Sequence, residues 1–221
     1  MKKIALEDII FIPEYHENQI YSYHSGKIEE DVDKESPIGG LIMSMHDRDT
    51  EEKLGYVHFI IAESADFIDM DGESSELGMA YVAARDFTYG DDEEADLDYP
   101  DILHIADVSI LDDLKNYWKY LIAGAVLSTI DFLGWSKDVD YNYITSTDLP
   151  IGFGLPEEID ISKTKEQISR VLKEIGFTEI PYEETIYSMF CCRVGAIEER
   201  FEEVCNEIKD LEENIVTNNI K

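Results

Sequence analysis

Basic residues are scarce in this chain. Its 221 residues hold 18 Lys plus Arg against 50 Asp plus Glu, a formal net charge of −32. A protein that grips phosphates needs a basic face, so direct nucleic-acid binding is not expected. Anionic membrane surfaces are unsuitable partners for the same reason. Cysteine is scarce too, with only Cys191, Cys192 and Cys205. An odd number with two adjacent members gives no disulfide framework. Reduced thiols in a cytoplasmic protein are the expectation. Long apolar runs are missing. The longest nearly uncharged stretch, Tyr120 to Ile130, is far short of the roughly 20 residues that span a bilayer. Met1-Lys2-Lys3-Ile4 leads into Glu7 and Asp8, not into an apolar stretch, so no signal peptide is expected.

Several chemical signatures are missing as well. There is no P-loop, no Gly-x-Ser-x-Gly and no His-Glu-x-x-His. Asp69-Met-Asp71-Gly72 and Asp138-Val-Asp140-Tyr-Asn142 begin like calcium loops. Both lack the glycine at position six and the glutamate at position twelve. Cys191-Cys192 is not a zinc spacing. No metal site is expected.

What is present is enough for a core: 44% hydrophobic and 11% aromatic residues. Disordered acidic chains lack those aromatics. The charge gathers in four clusters, 29–35, 69–76, 91–101 and 198–213. Between them the elements are legible. Ile9 to Ile12 form an apolar run that Pro13 is expected to end. Gly40 to Met45 and Leu54 to Ala62 read as paired strands around a charged turn, His46 to Lys53. On the second strand Tyr56, His58 and Ile60 share one face, and Val57, Phe59 and Ile61 the other. Leu77 to Val82 reads as a strand, and Ile102 to Ile110 as a central one.

Asp112 or Asp113 is expected to cap a helix to Leu133, with Gly134 at its end. Asp140 to Thr147 reads as a strand. Thr164 and Gln167 fit a capping box, and Ile168, Val171, Leu172 and Ile175 follow at helical spacing up to Gly176. Thr185 to Val194 reads as the last strand. Ile197, Phe201, Val204, Ile208, Leu211 and Ile215 then make a heptad stripe on an acidic helix. That stripe serves either its own domain or, over 197–215, a homodimer or partner helix.

This order resembles the GNAT superfamily of acyl-CoA-dependent N-acetyltransferases over roughly residues 37–194. Three stretches carry the likeness: the hairpin ending in Leu54-Gly55-Tyr56-Val57; Val108 leading to Lys119-Tyr120-Leu121-Ile122-Ala123-Gly124-Ala125; and Val171-Leu172-Lys173-Glu174-Ile175-Gly176-Phe177. The resemblance implies a layered α/β fold, a GNAT-like mixed central sheet flanked by helices. Residues 1–36 would be an N-terminal extension and 195–221 the C-terminal amphipathic helix. It also implies acetyl-CoA, held by Val108, Ile110, Lys119, Ile122, Ala123 and Gly124. In that family a glycine-rich turn exposes backbone N–H groups to a pyrophosphate at a helix N-terminus. Here Ile122 stands at the first glycine position, Asp112 and Asp113 precede it, and Leu172 stands where the family often has a tyrosine acid.

A transferase needs a base for the acceptor amine. The candidates are Asp107, His104 and Glu63, with Tyr143 or Tyr141 replacing the missing acid. For His104 the plainer alternative is a hydrogen-bonded strand histidine. Asp107 on a mostly apolar strand needs a partner if buried. An acidic shell would steer a cationic small molecule, such as a polyamine, or a basic protein. The rival expectation is an acidic inhibitor, phage or mobile-element encoded, that imitates nucleic acid. It would occupy a basic groove of a host defence or transcription protein.

Overall fold

The computed structural model describes residues 6–16, 19–22, 27–30, 38–62, 75–89, 101–137, 143–148, 161–180 and 188–218. It is a layered α/β structure. Its strands are β1 (Ile9–His16), β2 (Gln19–Ser22), β3 (Lys27–Glu30), β4 (Ile38–Asp47), β5 (Lys53–Ala62), β6 (Ile102–Ile110), β7 (Tyr143–Thr147), β8 (Thr178–Ile180) and β9 (Met189–Arg193). Its helices are α1 (Ser75–Tyr89), α2 (Trp118–Lys137), α3 (Ile161–Glu174) and α4 (Val194–Asn218). Seven strands form one sheet in the order β1-β4-β5-β6-β7-β9-β8, and β2 and β3 form a separate hairpin. Within the large sheet β6 and β7 run parallel, while the other neighbours are antiparallel.

Strand alternation divides the core into two layers. Val57, Phe59, Leu103, Ile105, Ile144 and Phe190 pack with α2, α3 and α4 on one face. Ile60, Ile102, Met189 and Cys191 pack with Ala80, Tyr81, Ala83 and Ala84 of α1 on the other. The expected split of β5 into two faces is therefore observed. The expected strand at Leu77–Val82 is instead part of α1. Ala80, Tyr81 and Ala84 recur at helical spacing, a pattern that a six-residue window hides.

Other expectations shift for local reasons. The run at Ile9 continues through Pro13, which faces Met43. β1 is an edge strand, where a residue without an N–H is tolerated. Residues 1–36 therefore contribute the first strand of the sheet. The chain leaves β6 through a 3-10 turn, Asp112–Tyr117, with a break at Leu114, before α2 begins. α2 runs past Gly134 to Lys137. Thr164 lies inside α3, so it is not the cap. Gly176, at φ +110°, does end α3. The Phe177 N–H donates to Leu172 O (3.0 Å) and the Gly176 N–H to Lys173 O (3.2 Å), the two bonds of a Schellman cap. The last strand is Met189–Arg193, and residues 185–187 of the expected run lie outside the described residues.

The heptad stripe turns inward. Ile197, Val204 and Ile208 are buried in the core of the α2 face. Phe201 stacks on Tyr120 with ring centroids 5.3 Å apart. A partner helix or homodimer through 197–215 would have to do without these residues. The side chains of Leu211 and Ile215 lie outside the described ones. Among the described residues no helix is long and apolar enough to cross a membrane.

Two glycines of α2 give opposite predictions. A Cβ on Gly124 would meet Phe11 Cζ at 2.5 Å, whereas one on Gly134 would meet nothing within 4 Å. Gly134→Ala should stabilise by about 0.5–1 kcal/mol through helix propensity. Gly124→Ala should destabilise by about 1 kcal/mol or more, because overpacking outweighs the same gain. Adding Phe11→Leu should recover part of that loss. Thermal unfolding of the three variants checks all of this.

Candidate functional site

β6 is buried from Ile102 to Val108, yet it carries His104 and Asp107. A bulge explains how both reach one face. Phe59 faces Ile105, but His58 faces Asp107, so Ala106 is an extra residue on β6. Regular alternation would turn Asp107 to the same side as Ile105, into the apolar α2 face. The extra residue re-aims it to the α1 side. Val108 then enters the α2-side core.

Asp107 is 5% exposed and accepts a hydrogen bond from the Tyr56 hydroxyl (Oδ2, 2.8 Å). Buried His58 faces it across the strands. Ser44 faces Tyr56 in the next strand, and Tyr56 faces Ser109. Ser44, Tyr56, His58 and Asp107 thus form a polar patch on one side of three adjoining strands. Ser44 is fully buried and its Oγ has no hydrogen-bond partner among the described residues. Lys53 comes from the surface and lays its ammonium over the Tyr56 ring, 5.2 Å from the centroid.

The patch lies where the parallel strands part. Their described pairing runs from Ile102–Tyr143 to Ile105–Ser146, and β6 continues to Ile110. Beyond it come Thr147, the last residue of β7, and Asp148, both buried, with Lys165 of α3 3.6 Å from Asp148. Ligands of open α/β sheets sit beyond the carboxyl ends of parallel strands.

Not every expected residue joins this patch. His104 is fully buried and shares a 2.9 Å hydrogen bond with Thr145, clamping β6 to β7, which is the plainer reading of it. Tyr143 pairs with Ile102, five residues before Asp107 and so roughly 15 Å away along the strand. It packs edge-on to Phe87 and under the Arg193 guanidinium. Glu63 and Tyr141 lie outside the described residues. Ser44, Tyr56 and His58 escape a search for motifs. Their signal is that each is a polar residue set among apolar neighbours in a strand.

Most of the residues assigned to acetyl-CoA lie in one helix. Lys119, Ile122, Ala123 and Gly124 all lie within α2. Ile122 and Ala123 are buried, and the Phe11 ring fills the space beside Gly124. Ile110, at the end of β6, is partly buried against the core. Lys119 is held by Glu207 (2.6 Å) and Glu174 (3.0 Å). Partial burial works against its charge, but these carboxylates more than offset that and raise its pKa. The turn that does precede the helix, Asp112–Tyr117, has no glycine and turns Leu114 and Tyr117 into the protein.

A cleft of about 1070 Å³ opens between α3 and α4. Its cations are already engaged: Lys119 as above, Lys173 with Glu179 (2.6 Å), Arg200 with Glu203 (2.6 Å), and Arg170 with Glu174 (3.9 Å). Exposed pairs of this kind contribute about 0–1 kcal/mol each. Among the described residues no three His, Cys, Asp or Glu side chains are placed to hold a metal ion. Of the acidic clusters, 31–35, 69–74 and 91–100 lie outside the described residues. On α4, Glu198, Glu199, Glu202, Glu203 and Glu207 are exposed. The chain matches no protein-family model, and no curated protein matches it.

The cysteines yield a prediction. Burial pushes the Cys191 and Cys192 thiols up to about 12, with their mutual proximity adding to the shift of Cys191. Below that pH they stay protonated and unreactive. Cys205 is only partly buried. Alkylation of native protein at pH 8, read by mass spectrometry, should add one label at Cys205, and three after unfolding.

Proposed function

We propose that this chain is a degenerate relative of the acyl-CoA-dependent N-acetyltransferases that keeps an amine-binding face without the phosphate cradle. Its target is a cationic amine, carried by a small molecule or by a basic protein. One observation carries the reading: a buried carboxylate, Asp107, turned by a bulge onto a polar patch where two parallel strands part. The strand order, with one parallel pair among the described strands bridged by α2, supports the kinship. A buried carboxylate gains most from a ligand that brings both positive charge and N–H donors. The net charge of −32 adds long-range attraction for such ligands. The helical, filled environment of Lys119 to Gly124 supports loss of the cofactor rather than retained transfer.

Thermal unfolding separates the alternatives. A ligand at 100 times its Kd adds about 2.7 kcal/mol, or roughly 5–10 °C in Tm at this chain length. Spermidine or a lysine-rich peptide should give a rise of this kind, and Asp107→Asn should cut it to about half or less. Millimolar acetyl-CoA should give none. A clear rise with acetyl-CoA would return the chain to the active transferases. No rise with any amine would end the proposal. Capture of a basic protein that duplex DNA competes away would favour the nucleic-acid mimic instead.

A further inference from the structure

Ser44 Oγ is a buried polar atom with no partner among the described residues. Such atoms are rare in folded proteins and destabilise them when left unsatisfied. Ser44 faces Tyr56 across β4 and β5, and the Tyr56 hydroxyl reaches Asp107 on β6. Over the same ring lies the Lys53 ammonium, 5.2 Å from its centroid. A primary ammonium therefore already rests on this tyrosine, supplied by the chain itself. From these facts, and resting on the amine reading above, we infer that Ser44, Tyr56 and Asp107 form the seat of a primary alkylammonium group, and that Lys53 competes for it.

The chemistry matches donor to acceptor. An R–NH₃⁺ group has three N–H donors. One goes to the Asp107 carboxylate, which has capacity for about four donors and keeps its bond from Tyr56. A second goes to Ser44 Oγ and supplies its missing partner. The cation rests on the face of the Tyr56 ring, the electron-rich side of its quadrupole. Lys53 is tethered at the turn-side end of β5 and exposed, so its hold on the ring is weak and reversible. A quaternary ammonium carries the charge but no N–H, so it satisfies neither Ser44 nor Asp107. The seat thus selects primary amines over their fully methylated counterparts.

Calorimetric titration tests this on the full chain. The probes are spermidine, a lysine-rich peptide and hexamethonium, a bis-quaternary cation. Spermidine should bind more tightly than hexamethonium. Ser44→Ala should weaken spermidine about two- to tenfold, and Asp107→Asn about tenfold or more. Lys53→Met should tighten it about two- to fivefold by removing the competitor. Ser44→Ala has an independent signature. Without ligand its Tm should equal or exceed that of the parent, because an orphaned hydroxyl is gone. A structural serine would instead lower the Tm. If the parent binds spermidine but Ser44→Ala and Lys53→Met leave the affinity unchanged, this seat is wrong while the amine reading stands. If the parent binds no amine, the reading itself falls. Tighter binding of the peptide than of spermidine assigns the seat to a protein lysine, and the reverse assigns it to a free polyamine.

Discussion

Parallel strands cannot be joined by a tight turn. Pairing β6 with β7 in this way obliges the chain to leave the sheet at Leu111, cross one face as α2, and return at Tyr143. That crossing supplies the surface on which α3 and α4 pack, so the whole helical layer follows from one strand direction. It also produces two adjacent carboxyl ends with different neighbours. β6 runs on beside β5 while its described pairing with β7 has stopped. Polar groups buried at such a point have fewer main-chain partners within reach than groups inside a ladder.

The apolar strands were legible because burial on both faces demands near-continuous hydrophobic runs. Ile102 to Ile110 is recovered with its observed limits. The stripe at Ile168 to Ile175 was legible because four positions share one helical face. α1 was not, because its buried face is mostly alanine, which contributes little to an apolar pattern. The bulge at Ala106 was not, because alternation is silent when both faces are apolar. Asp107 could be suspected from its surroundings, but its side of the sheet depends on that single extra residue. Ser44 sits between Met43 and Met45 and reads as an ordinary strand serine. Its meaning comes from strands brought beside it by the fold, Tyr56 and then Asp107.

The acidity acquires two separate roles. On the exposed face of α4 it is a solvated surface. At the contact of α2, α3 and α4 the few cations cross-link helices, with Lys119 joining Glu174 to Glu207. Scarce positive charge is thus spent where it offsets self-repulsion between packed elements. The net charge of −32 leaves a field that draws cations.

Cys191 and Cys192 are neighbours in the chain but lie in different layers, because successive strand residues point to opposite faces. Cys191 belongs to the α1 layer and Cys192 to the layer of α2, α3 and α4. The molecule therefore carries two thiol reporters one residue apart, each sealed under a different helical lid. If one layer opens before the other in partial unfolding, the two sulfurs will become reactive at different denaturant concentrations. A single peptide then records the order in which the two halves of the core let in water.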